Sequence, residues 1–225
     1  MTRNKSNLVT TNQVGINEGL SLLNVRYTLD NFKKPIPDFS IKIFEEIWEW
    51  IKSNNNKSLV IDVGCGVGES SYHLANKYKN DLVIGIDKSL VRISKNNTFK
   101  KNPPANLKIV RGDIIDIWRL FYKYRAEFSI KKQYILYPNP WPLKHHFKKR
   151  WHGHPVFPFI LALETPIELR TNWKLYLEEF SFCLNLRNKS LASIEGYSPK
   201  VIVTPFERKF CESEHELFRL NYKPL

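Results

Sequence analysis

Leu59 to Gly68 reads LVIDVGCGVG. A short, mostly apolar run, Leu59 to Val63, passes directly into glycines at 64, 66 and 68. A run of this length bounded by turn residues predicts a buried strand. Glycines at alternate positions supply turn conformations that other residues resist, and let backbone approach a ligand closely. Ser70 to Lys79 follows with helical periodicity. Strand, glycine loop and helix therefore stand in sequence.

The same alternation continues on both sides. Leu82 to Ile86 predicts a second strand ending at Asp87, and Leu107 to Val110 a third, followed by Gly112 and Asp113. Between them Val91 to about Lys101 is a weak helix closed by Asn102-Pro103-Pro104. Further strands are predicted at Tyr134–Tyr137, Ile167–Arg170 and Leu191–Gly196. Helices are predicted at Ile114–Tyr124, Phe157–Leu163 and Trp173–Leu184. Upstream, Phe39 to Ile51 places Ile43, Ile47 and Ile51 on one helical face, with Phe44 and Trp48 beside it. Residues 1–37 read as a loosely held polar arm and 38–225 as one domain, within the size range of a single core. Alternating strands and helices predict an α/β fold: a mostly parallel sheet with helices on both faces.

The acids give the loop a chemistry. Asp87, at the end of the second strand, can accept from two ribose hydroxyls. Asp113, after the third strand, is placed to reach an adenine ring. A dinucleotide loop has the pattern G-x-G-x-x-G, whereas here Gly64, Gly66 and Gly68 alternate and Asp62 stands two residues ahead. This resembles the arrangement of class I methyltransferases. It implies a Rossmann-like fold and S-adenosylmethionine as cofactor.

Charge points to a second ligand. The chain has 35 Lys and Arg against 22 Asp and Glu, a net charge of +13, which favours a polyanion, nucleic acid first. The three cysteines, Cys65, Cys183 and Cys211, are widely spaced with no C-x-x-C pair, which speaks for a reducing compartment. No apolar run approaches membrane-spanning length and the N-terminus lacks a signal-peptide core, so the cytoplasm is the default expectation and no membrane partner is expected. One dense basic run lies in Tyr137–Pro155, YPNPWPLKHHFKKRWHGHP. Asn139 stands between two prolines directly after an apolar run, where it is held rather than mobile. Lys144, Lys148, Lys149 and Arg150 follow, interleaved with His145, His146, His152 and His154. These histidines have no nearby Cys, Asp or Glu, so no metal site is expected, and they read as contacts to an RNA backbone.

Together these stretches resemble the tRNA (guanine-N7-)-methyltransferase family, from about Gln13 to the C-terminus. The family signature, P-D-P-W-P-K-K-R-H-H-K-R-R, stands here as Pro138 to Arg150. Its T-D-W-x-x-Y motif stands as Thr171 to Tyr176, and its T-x-F-E motif as Thr204 to Glu207. The resemblance implies cofactor contacts from Asp62, Asp87 and Asp113, and guanine or tRNA contacts at Asn139, Asn172, Thr204 and Glu207. The departures that matter remove two carboxylates and one ammonium: Asn139 and Asn172 stand in place of aspartates, and Leu143 in place of a lysine.

Guanine N7 carries an in-plane lone pair and no proton, so methylation needs no general base, and positioning carries much of the rate. The product ring is cationic, and a carboxylate beside it would stabilise the developing charge. Asn139, the candidate catalytic residue, keeps an acceptor but loses that charge. The loss implies weaker catalysis, compensation by Glu207, or another acceptor. Two alternatives follow: a methyltransferase with a different RNA acceptor, and an RNA-binding paralogue that retains the cofactor. Trp141 is expected in the core.

Overall fold

The computed structural model describes residues 5–55, 57–95, 101–187 and 192–224. The helices are α1 (Gly19–Arg26), α2 (Asp38–Ser53), α3 (Glu69–Lys77), α4 (Leu90–Ile93), α5 (Ile114–Lys123), α6 (Phe157–Ala162), α7 (Lys174–Asn185) and α8 (Pro205–Glu212). The strands are β1 (Leu59–Val63), β2 (Leu82–Asp87), β3 (Leu107–Arg111), β4 (Ile130–Leu136), β5 (Ile167–Thr171), β6 (Ala192–Gly196) and β7 (Phe218–Tyr222). They form a seven-stranded sheet in the order β3-β2-β1-β4-β5-β7-β6. The pairs β3-β2, β2-β1 and β1-β4 are parallel, and β7 is antiparallel to both β5 and β6. The mostly parallel α/β architecture read from the sequence therefore holds, and β7 is added to it.

The chain divides into two compact units. One comprises Lys33–Ile135 with Phe159–Pro166. Its strands β1 and β2 are buried along their whole length, as the unbroken apolar runs require. Helix α2 buries Ser40, Phe44, Ile47 and Ile51, so the apolar face is turned slightly from the expected one and Ile43 is only half-buried. Phe44, Trp48, Phe121, Tyr124 and Phe128 pack against one another with ring centroids 4.9–6.0 Å apart. One buried polar chain crosses this core: Trp118 Nε1 donates to Gln133 Oε1 at 2.7 Å, and Gln133 Nε2 donates to Thr165 Oγ1 at 2.6 Å. Among the described residues the predicted helix after Val91 is the single turn α4, and residues 96–100 lie outside the described residues.

The second unit comprises Met1–Phe32, Leu136–Pro158 and Ile167–Leu225. Here α1 buries Leu20 and Leu23, and α7 buries Tyr176, Leu177, Phe180, Cys183 and Leu184. Arg187 holds the end of α1, donating to Asn24 and to the Tyr27 carbonyl. The basic segment folds into two 3-10 turns, Lys144–Lys149 and Trp151–Gly153. Among the described residues no helix is long and apolar enough to cross a membrane.

Candidate active site

In the first unit the sheet order reverses at β1, which has β2 on one side and β4 on the other. The crevice beyond the carboxyl ends of such strands is where open α/β sheets bind ligands. The glycine loop leaves β1 at that end. Gly64 and Gly66 adopt φ of +69° and +60°, and a Cβ at either would meet nothing within 4 Å. The loop is thus left-handed backbone beside open space, a conformation that side chains resist. Gly68, at φ +87°, is the N-cap residue of α3. Asp87 ends β2 and ties the loop down, its Oδ2 accepting from Gly66 N–H at 3.0 Å. Its Oδ1 accepts from Ser89 N–H at 2.8 Å and lies 3.2 Å from the Arg92 guanidinium. Asp113 caps α5, its Oδ1 accepting from Ile115 N–H at 3.0 Å, and stays half-buried.

Asp62 corrects the expectation of a direct cofactor contact. It is 1 % exposed, and its Oδ2 accepts from the hydroxyls of Ser70 and Ser71 at 2.5 and 2.6 Å. It joins β1 to the first turn of α3 and so fixes the loop between them. Gly85 completes the arrangement and was not singled out in the sequence. It pairs with Asp62 across β1 and β2, and a Cβ there would lie 2.2 Å from Ser71 Oγ and 3.0 Å from Cys65 Sγ. Only glycine lets α3 and the loop sit this close to β2. A glycine inside an otherwise β-branched strand is the signal that marks such an approach.

The second unit carries the proline-rich segment. Tyr137 and Trp141 adopt φ of +52° and +45°, each directly before a proline. Such backbone is unfavourable for large side chains and persists only where the surroundings enforce it. Between them Asn139 is exposed and its Oδ1 accepts from Trp141 N–H at 3.2 Å, an Asx turn that fixes the side chain. Lys144, Lys148 and Lys149 are exposed, and Lys149 Nζ lies 4.5 Å from the Trp141 ring centroid. Trp141 is half-buried rather than in the core, with its face taken by this lysine.

Arg150 does not join the lysines. It is fully buried, ion-paired with the equally buried Glu179, and donates to the Trp141 carbonyl from Nε and Nη2 at 3.2 and 3.0 Å. A cation with no solvent exposure cannot bind a phosphate on the surface. Its work is to hold the turn at Trp141. Glu179 also accepts from Gln13 Nε2 at 2.6 Å, Asn17 N–H at 2.9 Å and His152 Nε2 at 2.9 Å. Burial pushes its carboxyl up, but the His152 hydrogen bond, the Arg150 guanidinium and the Asn17 N–H outweigh this and hold it at about 2. Burial also pushes His152 below its ordinary value, despite Glu179. His152 is therefore a core residue and not a backbone contact. His146 and His154 are half-buried, leaving His145 as the exposed histidine of the segment. Among the described residues no group of three His, Cys, Asp or Glu could hold a metal ion.

The T-x-F-E motif is a helix cap. Thr204 Oγ1 accepts from Glu207 N–H at 2.9 Å, and Glu207 Oε2 accepts from Val203 N–H at 2.8 Å, a reciprocal arrangement close to a capping box. Glu207 Oε1 accepts from Tyr137 Oη at 2.8 Å and Arg170 Nη1 at 3.0 Å. Glu207 is fully buried and Thr204 6 % exposed. Both were expected to touch substrate; both are spent on closing α8 and on bracing left-handed Tyr137. Burial, then Glu207, push the Tyr137 hydroxyl far above its ordinary value, so it donates throughout the working pH range. Asn172, at the end of β5, is half-buried with Nδ2 3.0 Å from His215 Nδ1.

A parallel sheet reversing at β1, a left-handed glycine loop and an acid closing β2 define the class I methyltransferase fold. Residues 56–220 match a family described as putative methyltransferase, and the chain belongs to that family. It is 29 % identical over 193 residues to a tRNA (guanine-N(7)-)-methyltransferase of Malacoplasma penetrans, covering 80 % of this chain and 86 % of that one. It is 28 % identical to the enzyme of that name from Oenococcus oeni, covering 79 % and 85 %. Among solved structures, an antibiotic-related methyltransferase superposes with a TM-score of 0.57 at 18 % identity, over 81 % of this chain and 94 % of that one.

Proposed function

We propose that the chain transfers a methyl group from S-adenosylmethionine to N7 of a guanine in tRNA. The observation that carries the reading is the segment from Tyr137 to Lys149. Its backbone is clamped from within by Glu207 and Arg150, and it holds Asn139 and three lysines at the surface. Relatives at 28–29 % identity bear the matching activity in their names.

The residues at the end of β1 and β2 fit the cofactor. Open space beside Gly64 and Gly66 leaves room for it, Asp87 would accept from the ribose hydroxyls in competition with Arg92, and Asp113 would face the adenine. When bound, S-adenosylmethionine supplies an electrophilic methyl on a sulfonium. The chain's part is to hold the base: Lys144, Lys148 and Lys149 take phosphates and set the register of the tRNA, while Asn139 and Asn172 meet the base. No side chain need accept a proton from N7.

The neutral pair Asn139 and Asn172 favours a slow or specialised enzyme. Glu207 does not replace the missing charge, because it is buried in the α8 cap. Nucleoside mass spectrometry of tRNA incubated with the protein and S-adenosylmethionine tests the reading. 7-Methylguanosine is the expected product. A different methylated nucleoside identifies another RNA acceptor, and no product with cofactor still bound identifies an RNA-binding paralogue.

A further inference from the structure

We propose that His215 is a positioning residue that fixes the amide of Asn172, so that Asn172 presents its carbonyl oxygen to the base. Asn172 then reads hydrogen-bond donors on the base edge as a carboxylate would, but without charge. The inference rests on the proposed function for the role of Asn172 and on ring chemistry for its orientation.

The orientation follows from Ser6. His215 Nε2 lies 2.9 Å from the Ser6 carbonyl oxygen, which can only accept, so Nε2 carries the proton. In the neutral ring Nδ1 is then bare and can only accept. Its neighbour, 3.0 Å away, is the Asn172 amide. Only the NH2 end of that amide can satisfy a bare nitrogen. Nδ2 is therefore turned to His215 and Oδ1 away from it, and Asn172 makes no other hydrogen bond among the described residues.

Each member of this relay is itself held. The His215 ring stacks on Phe210 of α8, with centroids 5.3 Å apart and planes 15° apart, and Phe210 packs on Tyr137 at 5.6 Å. Ser6 N–H donates to Ser213 Oγ at 2.8 Å, and Lys5 pairs with Glu214 at 2.8 Å. Three consecutive residues, 213 to 215, thus grip the N-terminal arm, and the arm's carbonyl sets the tautomer that sets the amide. The base edge such a site accepts carries N–H donors, as the N1 and N2 edge of guanine does. A keto or ring-nitrogen edge would face oxygen against a lone pair.

Two measurements on the full chain test this. Long-range proton–nitrogen correlation spectra at neutral pH should show the Nε2–H tautomer for the ring that disappears in His215→Phe. A proton on Nδ1 overturns the inference whether or not the protein is an enzyme. The second measurement is tRNA methylation by the wild type, His215→Phe, Asn172→Asp and the double variant. Phenylalanine keeps the stack on Phe210 and removes the polar ring atoms. With Asn172 present, His215→Phe should lower kcat/KM about tenfold, the loss of one oriented hydrogen bond. With Asn172→Asp, whose two oxygens are both acceptors, His215→Phe should change it less than about twofold. An equal loss in both backgrounds means that His215 only supports the fold and overturns the inference. A wild type that methylates no tRNA overturns the functional reading instead, and the ring tautomer then decides the inference alone.

Discussion

Glu179→Gln should loosen the second unit and the basic segment together. The carboxylate is fully buried and accepts from Gln13, Asn17, Arg150 and His152. Held at about 2 against an ordinary 4.5, it contributes about 3 kcal/mol of stability at neutral pH by linkage. Removing one partner of a buried ion pair, which leaves Arg150 uncompensated, costs about 3–5 kcal/mol by comparison with other proteins. The two routes agree, so the variant should lose about 3–4 kcal/mol at pH 7 and melt about 10 °C lower. A carboxyl whose folded value is depressed stabilises fully above its unfolded value, and that stability is lost as pH falls through the folded value. The gap between wild type and variant should therefore be complete above about pH 5 and reduced by more than half at about pH 3. Urea unfolding followed by tryptophan fluorescence at both pH values measures it. A loss below about 1 kcal/mol at pH 7, or a gap as wide at pH 3, would refute the argument.

Replacing Lys148 and Lys149 by Ala should flatten the slope of log affinity for tRNA against log salt by about 1.5–2, since each phosphate contact releases close to one counterion. Adding Arg150→Met should leave that slope where the two lysines put it and lower the melting temperature, because Arg150 is buried; a further flattening would return it to the phosphate-binding set. Asp87→Ala should weaken S-adenosylhomocysteine binding at least tenfold by calorimetry, through lost ribose contacts and a loop no longer held at Gly66. Unchanged affinity would remove Asp87 from the cofactor site.

The strand, glycine loop and following helix were legible because they are local. Strand, glycine loop and acid lie within Leu59–Asp87, and the alternation of apolar runs and glycines has few other meanings. The acceptor half was misread wherever sequence shows charge but not direction. Lys148, Lys149 and Arg150 are consecutive cations, yet one points inward, because its counter-charge, Glu179, lies on α7 and is invisible at short range. Thr204 and Glu207 carry a capping signature, S/T-x-x-E, which marks a helix start in the sequence itself. Helix α1 was missed because its only buried residues are Leu20, Leu23 and Asn24, too few for a clear period. Strand β7 was missed because its alternation, FRLNY, is short and follows a charged stretch.

The two asparagines present opposite faces, which separates their reversions. Asn139 commits one Oδ1 lone pair to Trp141 N–H, which turns its NH2 donor outward. Asn172 gives one N–H to His215 and turns its Oδ1 acceptor away from that ring. Asn139→Asp keeps the turn, because one carboxylate oxygen can still accept from Trp141, and it replaces an outward donor with a charged acceptor. The charge on a guanine ring develops along the reaction, so this change acts on kcat more than on tRNA affinity. Asn172→Asp adds no acceptor that is lacking, and it sets a carboxylate against bare His215 Nδ1, so the ring must take a second proton to keep the contact. Nearly all of the gain from reverting both should therefore come from Asn139→Asp alone, at about tenfold or more in the rate of 7-methylguanosine formation under saturating tRNA. Asn172→Asp alone should gain little or lose. If instead Asn172→Asp supplies the larger gain in single-turnover assays, the amide faces assigned to the two residues are wrong, and the charge needed at the base lies on the β5 side.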